Sequence, residues 1–562
     1  MKRCLPGVAT LIVFSGALWA QHAKISRDLL NRDLNSTIDV IVTYKEQPHA
    51  GNHRRVLDRG GRLKKELRLI KSGAYSVPAS SLEALASDPD VASISPDRKV
   101  HTMLDNTTAA VNAPAAWNVG LDGSGIGVAI IDSGISEHDD LQGSNGSRVV
   151  YRQSFVGDNT NDNFGHGEHV AGILAGNGAD SLCSICTRNF SGVAPKVNLI
   201  DLQALDALGE GSDSSVIAAI DAAIELKSAF NIRVINLSLG RPVFESYKTD
   251  PLCQAVEAAW QAGIVVVVAA GNEGRNNNFG TYGYGTISSP ANDPYVITVG
   301  AMKTMGTPQK SDDLIASYSS KGPTQIDHIV KPDILAPGNQ VVSLRSPDGG
   351  LASLYPANLV PLSYYESTSK TEASPSYFTL SGTSMAAPVV SGAAALLLQA
   401  HPDMTPDQVK ARLMRTASKS FPTSSTAYDS TTGQSFTTEY DVFTVGGGYL
   451  DIQAALADTT PLRASALSPT AVYNPAATDP SQQAQILCTS STICTAQPPW
   501  WGKWTWRAQA IYGTQSIWGT QSIWGDQSIW GTQSIWGTQS IWGTQSIWGT
   551  DTSGNITLTG EN

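Results

Sequence analysis

The chain has 562 residues, 41% hydrophobic and 15% charged, which is enough apolar material for a large core and more than one domain. Its formal net charge of −11 argues against a nucleic-acid partner. Residues 1–20 carry Lys2-Arg3, an apolar run from Val8 to Trp19, and small residues at Ala17 and Ala20, so a signal peptide and export are expected. The run falls short of the roughly 20 residues that span a bilayer, and no later segment is expected to span one. Cys4 leaves with the signal. Cys183, Cys186, Cys253, Cys488 and Cys494 remain. In an oxidising compartment the expectation is two disulfides and one leftover thiol, with Cys488–Cys494 the local pair and the other pairing open.

Residues 21–105 read as a small α+β unit. "IDVIVTYKE" alternates as a strand, and "HRRVLDRGGRLKKELRLIKS" has mainly helical period, interrupted by Gly60-Gly61. "AYSVPAS" and "VASISPDRKV" are strands with the short helix "SLEALASDP" between them, giving β-α-β-α-β. Residues 21–101 hold 14 Lys+Arg and 10 Asp+Glu, net +4; with +2 from the signal, residues 102–562 carry −17. A cationic leader before an anionic body suits a leader that docks on that body.

Residues 106–458 change pattern. "IGVAIIDSG", "KVNLIDLQ", "RVINLSLG", "GIVVVVAAGN" and "YVITVGA" are apolar strands, the valine run without polar alternation, as in a sheet covered on both faces. "SVIAAIDAAIEL" sets Ile217, Ile220 and Ile224 on one helical face, and "PLCQAVEAAWQAG" does so with Leu252, Val256 and Trp260. Strands alternating with helices predict an α/β domain with a doubly wound, mainly parallel sheet. Residues 459–512 form a Pro-, Ser- and Thr-rich linker with the Cys488/Cys494 pair. From Gly513 to Trp548 six "GTQSIW" units follow, one bearing Asp526, in a repeat region bounded at 513–550. Ten of the 13 tryptophans lie after residue 499, which marks a separate module.

"HGEHVAGILAGNGADSLCSIC" invites two metal readings. H-x-E with C-x-x-C resembles the zinc deaminases, but Leu182 stands where Pro should precede the first Cys. H-E-x-x-H is absent, because His166 and His169 are three apart. Four residues instead fall at strand or helix ends of the α/β domain. Asp132 closes "VAIIDSG", Asn272 closes "VVVVAAGN", His166 opens "HGEHVAGILAG", and Ser384 opens the apolar helix "SGTSMAAPVVSGAAALLLQ". Taken singly each is ordinary, since Asp and Ser cap helices and Asn-Glu-Gly makes turns. Together they place a carboxylate, an imidazole, an amide and a hydroxyl at one sheet edge, the inventory of nucleophilic catalysis.

These stretches, with "INLSLG", "SPANDPYVITVGA", "YSSKGPT" and "KPDILAPG", resemble the subtilisin-like serine proteases, over roughly 340 residues. The resemblance implies a secreted serine endopeptidase with the triad Asp132, His166 and Ser384. It implies an oxyanion donor at Asn272, and protein or peptide substrates held by Ser238, Leu239 and Gly240 and by a pocket walled by Ala269, Ala270 and Gly271. It also implies that the leader is a propeptide that assists folding, then inhibits, in an autoprocessed zymogen. No catalytic cofactor is implied; structural calcium is, with Asp140 the one candidate ligand. His169 is expected to pack or cap, and Cys183-x-x-Cys186 to lie in a surface insertion. Two positions depart from the family pattern. Glu168 stands where Thr is usual, and Arg241 where many members have a second Gly, so Arg241 either narrows the pocket or favours an acidic side chain. The competing reading is an inactive scaffold of the same family acting as a surface adhesin. Its tail would then do the work: with period six and a single charge, it suits binding a cell surface or self-association.

Overall fold

The structure, a computed structural model, describes residues 24–26, 29, 36–96, 106–277, 281–429, 431–461, 465–473, 484–489, 492–493 and 560–561. The signal peptide, the GTQSIW repeats, Cys494 and the side chain of Cys488 lie outside the described residues. The chain divides into two compact units, residues 1–102 and 103–562.

In the first unit, β1 (Thr37–Tyr44) buries Val40, Val42 and Tyr44, the alternate positions of a strand covered on one face. α1 (Ala50–Leu57) follows and then β2 (Arg62–Leu67), β3 (Ser72–Pro78), α2 (Leu82–Ala86) and β4 (Val91–Pro96). The sheet order is β2-β3-β1-β4 with antiparallel pairing throughout. The expected second half of the long helix is therefore a strand. Gly60 adopts φ +80°, and a Cβ at Gly61 would meet the Val56 carbonyl oxygen at 2.9 Å. The helix stops there, and the charged "RLKKEL" becomes an edge strand, a place where lysines discourage further pairing.

The second unit is built on β5 (Gly127–Asp132), β6 (Val149–Ser154), α3 (His166–Ala175), β7 (Asn198–Gln203), α4 (Asp213–Glu225), β8 (Ile232–Leu237), α5 (Pro251–Gln261), β9 (Val265–Ala269), β10 (Ile297–Lys303), β11 (Leu314–Ile315) and β12 (Ile334–Pro337). The sheet order is β11-β10-β9-β8-β5-β7-β6, with β12 also on β10. All pairings are parallel except β10 with β11. Every residue of β9 is buried, as its unbroken valines require. The expected doubly wound sheet is present. The order reverses around β5, which has β7 on one side and β8 on the other, and sites form at the carboxyl ends of such strands.

A three-stranded antiparallel sheet, β13 (Val341–Leu344), β14 (Leu359–Pro361) and β15 (Ala373–Leu380), leads into α6 (Thr383–Ala400); α7 (Pro406–Thr416) and the hairpin β16 (Ser424–Asp429) with β17 (Gln434–Glu439) follow. α6 packs on α3, β8, β9 and β10, while α4 and α5 pack on each other. On α4 the buried face is Val216, Ala219, Ile220 and Ala223, with Ile217 and Ile224 at its margin. Contrary to expectation, among the described residues one helix is long and apolar enough to cross a membrane. It is α6, and 89% of it is buried inside the protein, as befits a core helix. Residues 466–473 also lie on this body. Ser468 Oγ donates to Asp333 Oδ1 at 2.5 Å, and the Val330 and Ala471 amides donate to Pro469 and His328.

Candidate active site

Asp132 ends β5 and is 1% exposed. Its Oδ1 accepts from the Ser133 amide at 2.8 Å and lies 2.7 Å from His166 Nδ1. The carboxylate can only accept, so Nδ1 carries the hydrogen and Nε2 is the basic nitrogen. His166 opens α3, whose preceding Gly165 (φ +104°) offers no capping side chain. The cap comes from further back. Asp162 Oδ2 accepts from the Glu168 amide at 2.7 Å and Oδ1 from the Gly165 amide at 2.7 Å, while Ser133 Oγ takes the Gly167 amide at 2.9 Å. Burial lifts the Asp162 carboxyl to about 6, against those same hydrogen bonds.

Ser384 is the second residue of α6. Pro388 sits inside this helix and has no N–H for the Ser384 carbonyl four residues back. Ser238 Oγ, just beyond β8, donates to that carbonyl at 2.8 Å, and Ser384 Oγ donates to the Ser238 carbonyl at 3.0 Å. Asn236 Nδ2 holds Ser238 Oγ at 2.9 Å, and Ser391 Oγ holds Asn236 Oδ1 at 2.8 Å, so α6 and β8 are stitched together behind the serine.

Asn272 Oδ1 accepts from the Thr383 amide at 2.9 Å and the Thr383 hydroxyl at 3.1 Å. That fixes the amide and leaves Nδ2 as its donating end. A Cβ built on Gly382 (φ +144°) would lie 3.4 Å from Asn272 Nδ2 and 3.7 Å from the Ser384 amide. Two N–H groups therefore lie near one point, an arrangement with the chemistry to receive an oxyanion.

Gly240 and Gly271 converge on Ser288, whose Oγ would lie 2.6 Å and 3.4 Å from their added Cβ atoms. Ala269 and Ala270 are 4% and 0% exposed. Leu239 is 5% exposed. The structure thus places Asp132 at the end of β5, Ser238–Gly240 just beyond β8, Ala269–Asn272 at and just beyond the end of β9, and His166 and Ser384 in the first turns of α3 and α6. Ser133, Asp162, Ser288 and Thr383 escaped the sequence reading; "SSPAND" and the "GTS" turn were the available signals.

The two departures sit in different surroundings. Glu168 does not face the imidazole. It is fully buried, its Oε2 accepts from the Ser136 amide at 2.5 Å, and burial, then Asp162, hold its carboxyl well above the usual range. The Arg241 guanidinium is engaged by two carboxylates, with Nη2 2.8 Å from Asp213 and 2.9 Å from Asp250. His169 packs as expected: Nε2 donates to the Val341 and Phe378 carbonyls, 3.1 Å each, and burial pushes its pKa down to about 3.

Cys183 and Cys186 form a disulfide, Cα–Cα 4.9 Å, in an exposed loop, and Cys253 is a buried free thiol. The C-x-x-C is therefore no zinc ligand pair. Asp140 does gather with His138 and Asp180. Yet Asp140 Oδ1 is taken by the Asp180 amide at 2.8 Å, Oδ2 by the Tyr377 hydroxyl at 2.9 Å, and Asp180 Oδ2 by the Ser376 hydroxyl at 2.6 Å. The Arg148 guanidinium occupies the Asp140 and Ala175 carbonyls at 2.8 and 2.6 Å. Calcium takes six to eight oxygens, and these are committed to protein donors, so the group does not fit the ion.

Residues 123–439 match the subtilase family model. The chain belongs to the subtilase family. It is 37% identical over 404 residues to the serine protease AprX of Bacillus subtilis (strain 168), covering 69% of this chain and 84% of that protein. It is 34% identical over 370 residues to subtilisin E of the same strain, covering 64% and 79%. A crystal structure of a cold adapted subtilisin-like serine proteinase aligns at 30% identity and TM-score 0.38, over 53% of this chain and 84% of that one. Homology to subtilases supports serine endopeptidase function, with protein or peptide substrates.

Proposed function

We propose that this subtilase is a secreted serine endopeptidase, made as an autoprocessed zymogen, in which Asp132, His166 and Ser384 form the catalytic triad. The reading rests above all on the buried contact of 2.7 Å between His166 Nδ1 and Asp132 Oδ1. Ser384 Oγ turns from the Ser238 carbonyl to His166 Nε2 and gives up its proton as it attacks the scissile carbonyl. Asp132 holds the tautomer and stabilises the imidazolium. The oxyanion is received by Asn272 Nδ2 and the Ser384 amide. His166 then protonates the leaving amine, and water hydrolyses the acyl-enzyme by the same route.

Substrate backbone pairs along Ser238–Gly240, and the P1 side chain enters between Gly240 and Ala269–Gly271 against Ser288. Arg241, spent on two carboxylates, neither fills this pocket nor selects an acidic P1 residue. Residues 1–20 direct export, residues 21–105 are the inhibitory propeptide, and residues 106–458 form the catalytic domain. The propeptide's +4 against −17 favours encounter. Full-length Ser384→Ala tests the scheme: it should fold, hydrolyse no peptide and keep its leader attached. Release of the leader by the purified variant would contradict autoprocessing.

A further inference from the structure

Beyond the repeats, Gly560-Glu561 returns to the second unit. We propose that this unit carries a dedicated binding site for an acidic Gly-Glu peptide segment, filled by the chain's own Gly560-Glu561.

The site is built. Glu561 Oε1 accepts from Arg275 Nη2 at 2.8 Å, from the Ser317 amide at 2.9 Å and from the Ser317 hydroxyl. Oε2 lies 3.1 Å from Lys303 Nζ. The Glu561, Arg275 and Lys303 side chains are 3%, 6% and 6% exposed. Asn339 reads the backbone from both sides: its Nδ2 donates to the Glu561 carbonyl at 2.9 Å, and its Oδ1 accepts from the Glu561 amide at 2.8 Å. Gly560 sits at φ +83°, where a Cβ would meet Gln340 Cγ at 2.5 Å and Ser381 Oγ at 2.7 Å. The sequence Gly-Glu is thus specified at both positions, by space at the first and by charge at the second.

Arg275 is held in place by its neighbours. Arg275 Nη1 pairs with Asp429 at 3.2 Å, its Nε donates to Ser317 Oγ at 2.5 Å, and its guanidinium carbon stands 4.4 Å over the Phe436 ring. Asp429 and Phe436 belong to the β16–β17 hairpin, so hairpin, Arg275 and Glu561 form one unit. Two buried cations facing two carboxylates are balanced, and removing one carboxylate leaves a buried charge without compensation. Residues 466–473 are held on the same unit, through Ser468 on Asp333 and the Val330 and Ala471 amides.

The site touches loops that carry the catalytic groups. Arg275 is three residues after Asn272, and Ser381 three before Ser384. The Gly274 amide donates to the Tyr318 carbonyl at 2.8 Å, next to Ser317.

The test uses the full chain and needs no catalysis. In Glu561→Gln, an isosteric change, the Ser317 amide loses a charged acceptor and should exchange roughly tenfold faster or more. In Glu561→Arg the site is vacated, and a synthetic peptide spanning Asn555–Asn562 should bind. The same peptide with Gln for Glu561 should bind at least about tenfold more weakly, since the charge-assisted contacts to Arg275 and Lys303 are lost. Wild-type chain, its site filled, should bind the peptide weakly. Unchanged Ser317 exchange in Glu561→Gln overturns the proposal, as does equal binding of the two peptides by Glu561→Arg. If Glu561→Arg fails to fold, the exchange measurement decides alone.

Discussion

Ser238 and Ser384 hold each other reciprocally, each hydroxyl donating to the other's carbonyl at 2.8 and 3.0 Å. The relationship follows from one residue. Pro388 strips the Ser384 carbonyl of its helical donor, and Ser238 supplies another from the neighbouring strand. A strand that would pair with substrate and the proposed nucleophile are thereby locked in register.

Ser238→Ala should therefore cost about 1–3 kcal/mol of stability, the penalty of an unsatisfied buried carbonyl. Adding Pro388→Ala returns an N–H to that carbonyl and should recover part of the loss. Urea unfolding of both variants checks this; equal loss in the single and double variants would show that the Ser384 carbonyl is not the cause.

Asn272→Ala should lower kcat by about 10²–10³ with little change in KM, the typical effect of removing one oxyanion donor. Gly382→Ala should mimic it, because the added methyl enters the space between Asn272 Nδ2 and the Ser384 amide. Peptide hydrolysis rates decide; a change confined to KM would place both residues in ground-state binding instead.

Two buried groups set opposite pH dependences. His169 is neutral in the fold with pKa about 3 and an unfolded value of 6.5, so the unfolded state binds more protons between these values. Its contribution is intact above pH 6.5 and is lost as pH falls toward 3. Asp162 runs the other way: its carboxyl is raised from 3.8 to about 6, so its contribution is intact below 3.8 and lost as pH rises through 6. Glu168, raised above 4.5, acts as Asp162 does. Glu168→Gln should gain Tm over wild type increasingly as pH rises above 4.5, and should leave the pH–rate profile unshifted. A shifted profile would mean that Glu168 communicates with His166.

Chelation of divalent cations should leave Tm unchanged, because Asp140 and Asp180 are already hydrogen-bonded to Tyr377, Ser376 and backbone. A fall of several degrees, reversed by calcium, would refute this reading of the Asp140 group.

Much of this site was legible because its residues end apolar runs. Asp132 and Asn272 stop strands whose every residue is buried, and such runs announce themselves in sequence. Asp162 was not legible: it caps α3 from four residues before His166, where capping rules point to Gly165. Arg241 misled because its partners, Asp213 and Asp250, are 28 and 9 residues away. β2 was read as helix because period alone does not separate a charged edge strand from a surface helix; Gly60 and Gly61 decide it. Glu561 meets Arg275 across 286 residues, a pairing no local pattern encodes.

The central claim is that Ser384 is a nucleophile activated by His166 and Asp132. Its most direct test is labelling of the full chain with a fluorophosphonate, followed by mapping of the modified residue. The account predicts one adduct, on Ser384, absent in Ser384→Ala and formed roughly 10⁴-fold more slowly in Asp132→Asn, where the imidazole tautomer is wrong. No adduct on folded wild-type chain, or an Asp132→Asn variant that labels as fast as wild type, would contradict it.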